Sequence, residues 1–282
     1  MWRWVKSALG WFALKTGIYR LFLRNQAIVV LFHRIGEAIP GDPIGCSEDK
    51  FASFCDVFAR YFHVVSLETL LAKMQHGEDL GGHLAITFDD GYVDNLTTAC
   101  PVLTARDLPA CFFLTSGYIG TDRVPGWDAD ANVKRAWMTW DQVRQLRDAG
   151  FEIGAHAVNH VNLGDAESFE RAGATPFPNH WNVEVDPETA EFEIAESRRH
   201  LERELDEPVR FFSYPFGRRE NITQRNRDII QRSGFSCCCS AHGGTVDATS
   251  SPFDLARIPV SQWYISPSHF VFEAMRAARR SA

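Results

Sequence analysis

Two adjacent carboxylates, Asp89 and Asp90, lie in Thr87-Phe88-Asp89-Asp90-Gly91, directly after the apolar run Leu84–Phe88. Like charges this close repel, so a site that holds both usually contains a cation. One carboxylate can then face a metal while its neighbour handles protons. A second constellation, His156-Ala157-Val158-Asn159-His160, follows the run Phe151–Ala155. Histidines four apart can share one face over a single turn, and imidazole nitrogen is a metal ligand. One aspartate with two histidines makes a three-ligand set that leaves positions open for water and substrate. Each motif has a plainer counterpart: Asp-Asp-Gly is a common turn, and ten histidines make chance pairs frequent. Their joint occurrence after strand-like runs is what points to a metal site.

Two more polar groups stand at equivalent places. His33 follows Ala27–Phe32, and Tyr214-Pro215-Phe216-Gly217 follows Val209–Ser213. The remaining apolar runs are His63–Leu67, Ala110–Thr115, Phe235–Ser240 and Leu255–Val260. Several are apolar on both faces, as in parallel strands buried on both sides. Between them helical patterns cover Lys50–Tyr61, Leu67–Gln75, Asn95–Arg106, Trp140–Ala149, Pro187–Leu205 and Asn221–Ser233. Gly150 and Gly234 stand where left-handed helix caps belong. This alternation predicts an α/β fold, a barrel in the first instance, with the polar groups gathered at the C-terminal ends of its strands.

Composition is that of a globular chain: 282 residues, 45% hydrophobic and 23% charged. A net charge of -7 argues against a nucleic-acid partner, which needs a basic field. The seven cysteines form no CxxC pair, and three of them, Cys237 to Cys239, are adjacent. They read as small buried hydrophobes of a reducing compartment rather than a disulfide framework.

Residues 1–24 differ from the rest. Arg3, Lys6, Lys15, Arg20 and Arg24 alternate with Trp2, Trp4, Trp11, Phe12 and Leu21, without one acid. The expectation is an amphipathic basic helix preceding a catalytic domain over 25–282. It is either packed on the body of the fold or laid in a membrane interface. The expected localisation is cytoplasmic, with peripheral contact at the inner face of the membrane through this helix. Within the domain, residues 164–186 break the rhythm as a proline- and aromatic-rich insertion, either a lid carrying Trp181 or a surface elaboration.

Thr87–Gly91 resembles the first motif of the polysaccharide deacetylase family (nodulation deacetylase homology domain, carbohydrate esterase family 4). His156–His160 is similar to its H-x-x-x-H motif, and Ser213–Gly217 to its R-x-P-[FY]-G motif. The resemblance runs over about residues 27–262. It implies a distorted (β/α) barrel of seven-strand type, in a single domain. It implies that Asp90, His156 and His160 hold one divalent metal and that Asp89 is the general base. The Phe216 N–H would stabilise the oxyanion, with Tyr214 beside the substrate. Zinc is the expected ion, although two histidines and a carboxylate also suit non-haem iron.

Two departures stand out. Ser213 occupies the place of the arginine that supports the base, and Arg257 is the candidate to replace it, against a purely structural ion pair. The late L-x-H motif is absent. Phe32-His33-Arg34-Ile35 resembles the Y-H-x-I segment of members acting on poly-N-acetylglucosamine, which makes His33 the candidate acid, with His242 in reserve. Trp127, Trp137, Trp140, Tyr214 and Trp263 are available to stack on sugar rings, one or two of them at most.

The function implied is metal-dependent hydrolysis of an N-acetyl or other N-acyl group of an aminosugar, in a polysaccharide or a lipid-linked glycan. The alternatives are a deformylase or other amide hydrolase on the same scaffold, and a non-catalytic glycan-binding module.

Overall fold

The computed structural model describes residues 2–37, 39, 42, 44–130, 132–133, 135–164, 166–172, 187–260, 264 and 266–281. Seven parallel strands follow one another around a ring in chain order: β1 (Ile28–Phe32), β2 (His83–Phe88), β3 (Cys111–Leu114), β4 (Glu152–Ala155), β5 (Phe211–Ser213), β6 (Cys237–Cys239) and β7 (Ile258–Pro259), with β7 returning to pair with β1. A short strand, His63–Val64, adds to the beginning of β2. The expected barrel is therefore observed, and its distortion is local. The run Leu255–Val260 splits: Leu255 bridges Cys239, while Ile258 pairs with Val30. One short segment thus closes the ring by serving both neighbours in turn.

Side chains alternate across each strand, and two separate cores result. Val29, Ala85, Cys111, Phe113, Phe211, Cys237 and Cys239 fill the interior, with Leu67, Leu70, Leu71 and Met74 of a helix (Leu67–Gln75) packed against them. Ile28, Val30, Phe32, Ile86, Phe88, Phe112 and Phe212 face outward to the surrounding helices. All seven cysteines are buried and unpaired. Most helices start within two or three residues of where their sequences predict, the one expected from Asn221 beginning at Gln224. Ser66, Thr139 and Thr223 each accept a hydrogen bond from the third residue beyond, the N-cap geometry. Gly150 and Gly234 both take φ of +86° after their helices. The predicted helix over Asn95–Arg106 begins as a π-turn, Asn95–Ala99, before continuing through Cys100–Thr104.

The N-terminal segment is two pieces rather than one helix. The helix α1 (Trp2–Thr16) ends at Gly17, where φ is +76°, and a further turn covers Tyr19–Phe22. α1 lies along α2 (Pro267–Ser281), the last helix of the chain. Of the expected insertion, a short helix Ala166–Ala172 is seen. Residues 173–186, with Trp181, lie outside the described residues, as does Trp263.

Candidate active site

Strand register brings the polar groups level. Phe32 pairs with Phe88, and the next amide, Asp89 N–H, donates to the Phe32 carbonyl (3.0 Å). His156 N–H likewise donates to the Leu114 carbonyl (2.9 Å) at the top of β3. His33, Asp89, Asp90, His156, His160 and Phe216 then line one cavity of about 310 Å³, with Trp127 and Arg218 also on its wall.

The backbone is bent sharply to achieve this. Asp90, Ala157, His160 and Phe216 all adopt positive φ, between +54° and +80°. Non-glycine residues take such values at a cost, and they cluster where function demands it. Gly217 (φ +60°) has no alternative, because a Cβ there would lie 2.5 Å from the Ala241 nitrogen. Glu193 steadies the histidine loop by accepting from the Val158 and Asn159 amides at 2.9 and 2.7 Å.

Asp90, His156 and His160 form a buried group whose ligand atoms lie within 4.8 Å of one another. His156 Nε2 and His160 Nε2 stand 3.5 and 3.4 Å from the same oxygen, Asp90 Oδ1. Bonds of about 2.0–2.1 Å in a tetrahedron put neighbouring ligands about 3.3 Å apart, so these two spacings fit a metal shared with Asp90. The tautomer agrees. His156 Nδ1 is 2.9 Å from the Ser213 carbonyl. A carbonyl can only accept, so Nδ1 carries the proton and Nε2 turns a lone pair inward. Asp90 Oδ1 is buried without a hydrogen-bond partner. A ring nitrogen's lone pair facing a carboxylate oxygen this closely suits a cation held between them.

Titration behaviour follows from the same packing. Burial opposes the charge on Asp90, yet the surrounding histidines hold its pKa well below the carboxylate range. Burial also opposes charge on His156, but Asp89 and Asp90 raise it. His160 is governed by burial and is pushed down to about 3. His33 is lowered by burial, against the pull of Asp90 and Asp89.

Asp89 is held from below. Arg257, fully buried, donates from Nη1 to Asp89 Oδ1 and from Nη2 to Asp89 Oδ2, both at 2.7 Å. The guanidinium also reaches Ser213 Oγ (2.6 Å) and the Ser240 carbonyl (2.7 Å), and Ser213 Oγ itself donates to Asp89 (3.1 Å). Burial alone would raise the Asp89 pKa; Arg257, with His156 and His33, lowers the net value. The arginine missing at position 213 is thus supplied from the far end of the chain.

Tyr214 is the predicted site residue that the structure does not bring to the cavity. Ser213 points into the barrel, so by alternation Tyr214 points out, fully buried at 5.7 Å from the Phe212 ring. His242 is also elsewhere, bonded to Asp254 (3.1 Å) in an adjoining cavity. Of the tryptophans, Trp127 reaches the site, 4.4 Å from the His160 ring. Trp137 stacks on Tyr92 in a satellite cluster, and Trp140 packs on His200.

Sequence reasoning missed the frame around Trp127. Arg34, fully buried, pairs with Asp42 (2.5 Å) and with Asp128, whose other oxygen accepts from Tyr92 Oη (3.1 Å). Trp127 Nε1 donates to that same hydroxyl (3.3 Å). Asn95 and Asp94 fix the His33 segment, through the His33 carbonyl (2.7 Å) and the Ile35 amide (3.1 Å). No spacing pattern announces such contacts, because they join residues distant in sequence.

The polysaccharide deacetylase family model matches residues 76–237. Over 176 residues the chain is 24% identical to YxkH of Bacillus subtilis (strain 168), covering 62% of this chain. The chain spans half the length of that curated relative. Among solved structures it resembles the Streptococcus pyogenes deacetylase PplD in complex with acetate, at TM-score 0.69 and 18% identity, over 89% of this chain and 98% of that one. It also resembles a de-N-acetylase from Aggregatibacter actinomycetemcomitans, at TM-score 0.68 and 18% identity, over 88% and 99%. These likenesses are of fold. Both His33 and Arg257 fall outside the matched family segment, and only the folded chain places them at its centre.

Proposed function

This chain belongs to the polysaccharide deacetylase family, and from that premise we propose that it hydrolyses the N-acetyl group of an aminosugar in a polysaccharide or lipid-linked glycan, with one zinc ion held by Asp90, His156 and His160. The observation that carries this reading is the pairing of a buried three-ligand group with a carboxylate, Asp89, clamped beside it by Arg257. A pure binding site has no use for the second carboxylate.

A bound zinc would supply Lewis acidity and a lowered pKa for water. Asp89 accepts the proton of the attacking water. Arg257 fixes its orientation and keeps it ionised; Oδ2 accepts from both Arg257 and Ser213, whereas Oδ1 accepts only from Arg257 and retains a lone pair for the water. The Phe216 N–H donates to the developing oxyanion. An amine leaves poorly unless protonated, and His33 supplies that proton. Trp127 offers its ring as a stacking face for the sugar.

The test is mass spectrometry of N-acetylated glycans incubated with zinc-loaded protein, with released acetate and formate measured in parallel. Deacetylation by the wild type and none by Asp89→Asn is the expected result. Release of formate alone from N-formyl substrates would replace acetyl by formyl in the reading. No turnover of either would reject it.

A further inference from the structure

Among the described residues, eight of the ten exposed large hydrophobic side chains lie between Trp2 and Leu21. α1 buries Gly10, Ala13 and Leu14 and turns Trp4, Val5, Leu9, Trp11 and Phe12 to solvent. Trp4 is 72% exposed and Trp11 56%. The outward face is thus richer in large apolar groups than the buried one, the reverse of a water-facing helix. Soluble surfaces rarely carry such a contiguous patch without a partner.

The patch is rigidly presented. Gly10 lets α1 approach α2 closely, since a Cβ there would lie 1.8 Å from the Ser268 carbonyl oxygen. Lys6 pairs with Glu273 (2.5 Å), and the Ser7 and Ser266 hydroxyls meet at 2.6 Å. These contacts fix which face looks outward.

Charge identifies the occupant. Residues 1–24 carry five basic groups and no acid, in a chain whose net charge is -7. Lys15 lies over the Trp11 ring, 5.7 Å from its centroid, on the outward face. Arg3, Arg20 and Arg24 are also exposed. A second copy docked through the same face would bring these cations against their own equivalents, since a two-fold contact is self-complementary. Anionic lipid headgroups match them, and tryptophan favours the headgroup level. α1 is 15 residues long, about 22 Å. No helix among the described residues is long and apolar enough to cross a membrane.

We propose that the outward face of α1 seats the protein on the surface of an anionic lipid bilayer, with α1 lying flat in the interface and Trp4, Trp11 and Phe12 inserted among the headgroups. This stands independently of the catalytic reading.

The experiment is flotation of the full chain with mixed phosphatidylcholine–phosphatidylglycerol vesicles and with pure phosphatidylcholine vesicles. Wild type should float with the mixed vesicles and far less with the neutral ones. Trp4→Glu/Trp11→Glu should lower the partition coefficient at least about tenfold, and Lys15→Glu/Arg20→Glu should lower it on mixed vesicles only. All these positions are exposed, so circular dichroism and melting temperature should match wild type. Failure of wild type to float, or equal flotation of all three proteins, would overturn the proposal. So would equal binding to neutral vesicles. A wild-type dimer in sedimentation that Trp4→Glu/Trp11→Glu dissociates would assign the face to a second copy instead.

Discussion

Arg257 and Asp89 meet through two parallel hydrogen bonds of 2.7 Å, the arginine without any solvent exposure. Such a fork fixes the plane of the carboxylate as well as its charge. Arg257→Ala would leave Asp89 buried with the Ser213 hydroxyl but without its guanidinium partner, a loss of about 3–5 kcal/mol of stability. Desolvation would then be opposed less strongly, by His156 and His33, and the Asp89 pKa would rise. The acidic limb of the kcat/KM profile should move to higher pH, where wild type is still fully active. In the wild type the Asp89 pKa is depressed, so its stability contribution is present above the unfolded carboxylate pKa and lost as pH falls through the folded value. Arg257→Lys keeps the charge but not the fork and should fall between. Urea unfolding with pH–rate profiles checks this. An unmoved acidic limb in Arg257→Ala would remove Arg257 from the positioning of the base.

The metal site yields a separate result. Wild type should take up one zinc ion per chain, His156→Ala and His160→Ala should each lose most of it, and Asp89→Asn should keep it and lose turnover. The two histidines share Asp90 Oδ1 at 3.5 and 3.4 Å, so neither is replaceable by the other. Zinc uptake by chelator-treated protein should release protons, because the ligands bind zinc in their deprotonated forms and Asp89 and Asp90 raise the His156 pKa in the empty site. Elemental analysis and titration in weak buffer measure both. Equal zinc in wild type and His156→Ala would refute the ligand assignment.

Asp94 offers a test on stability away from the chemistry. Burial raises its pKa to about 6, although it accepts hydrogen bonds from the Ile35 amide and from Asn95. Its Oδ2 is buried without a partner. Compared with an unfolded value of about 3.9, this costs the native state about 3 kcal/mol at pH 8, where Asp94 is charged in both states. The cost falls away as pH drops through 6 and is gone below about 4. Asp94→Asn should therefore stabilise the protein at pH 8 by about 1–3 kcal/mol and gain little at pH 4.5. Denaturant midpoints at the two pH values decide. Destabilisation at pH 8 would show that the charge itself is needed to hold Ile35.

The strands were legible because several are apolar on both faces, and the motif residues because they follow those strands directly. Alternation was equally available at Ser213–Tyr214, and applying it would have turned Tyr214 away from the cavity. Arg257 was visible as a candidate, but its bond to Asp89 spans most of the barrel in sequence. No local pattern separates a clamp from a structural ion pair. The Arg34–Asp128–Tyr92–Trp127 frame is less legible still: its members fall in loops, whose course is set by what they pack against.

His33 decides whether this site has its own acid. It lines the cavity with Asp89 and Asp90, and its carbonyl is anchored by Asn95 (2.7 Å), so the ring has a fixed origin. His33→Ala should lower kcat by about 10²–10⁴-fold with little change in KM, as expected for loss of a general acid. Zinc content should be unchanged, because His33 is not among the three ligands. The deficit should shrink on an activated acetate ester, whose leaving group needs no proton. Burial lowers the His33 pKa despite the nearby carboxylates. The protonated form therefore thins out as pH rises, and wild-type amide hydrolysis should carry a basic limb that His33→Ala lacks. His242→Ala is the control, since His242 is engaged by Asp254 at 3.1 Å outside this cavity. An equal loss on amide and ester would make His33 a positioning residue. A silent His33→Ala beside an inactive His242→Ala would transfer the acid to the adjoining cavity.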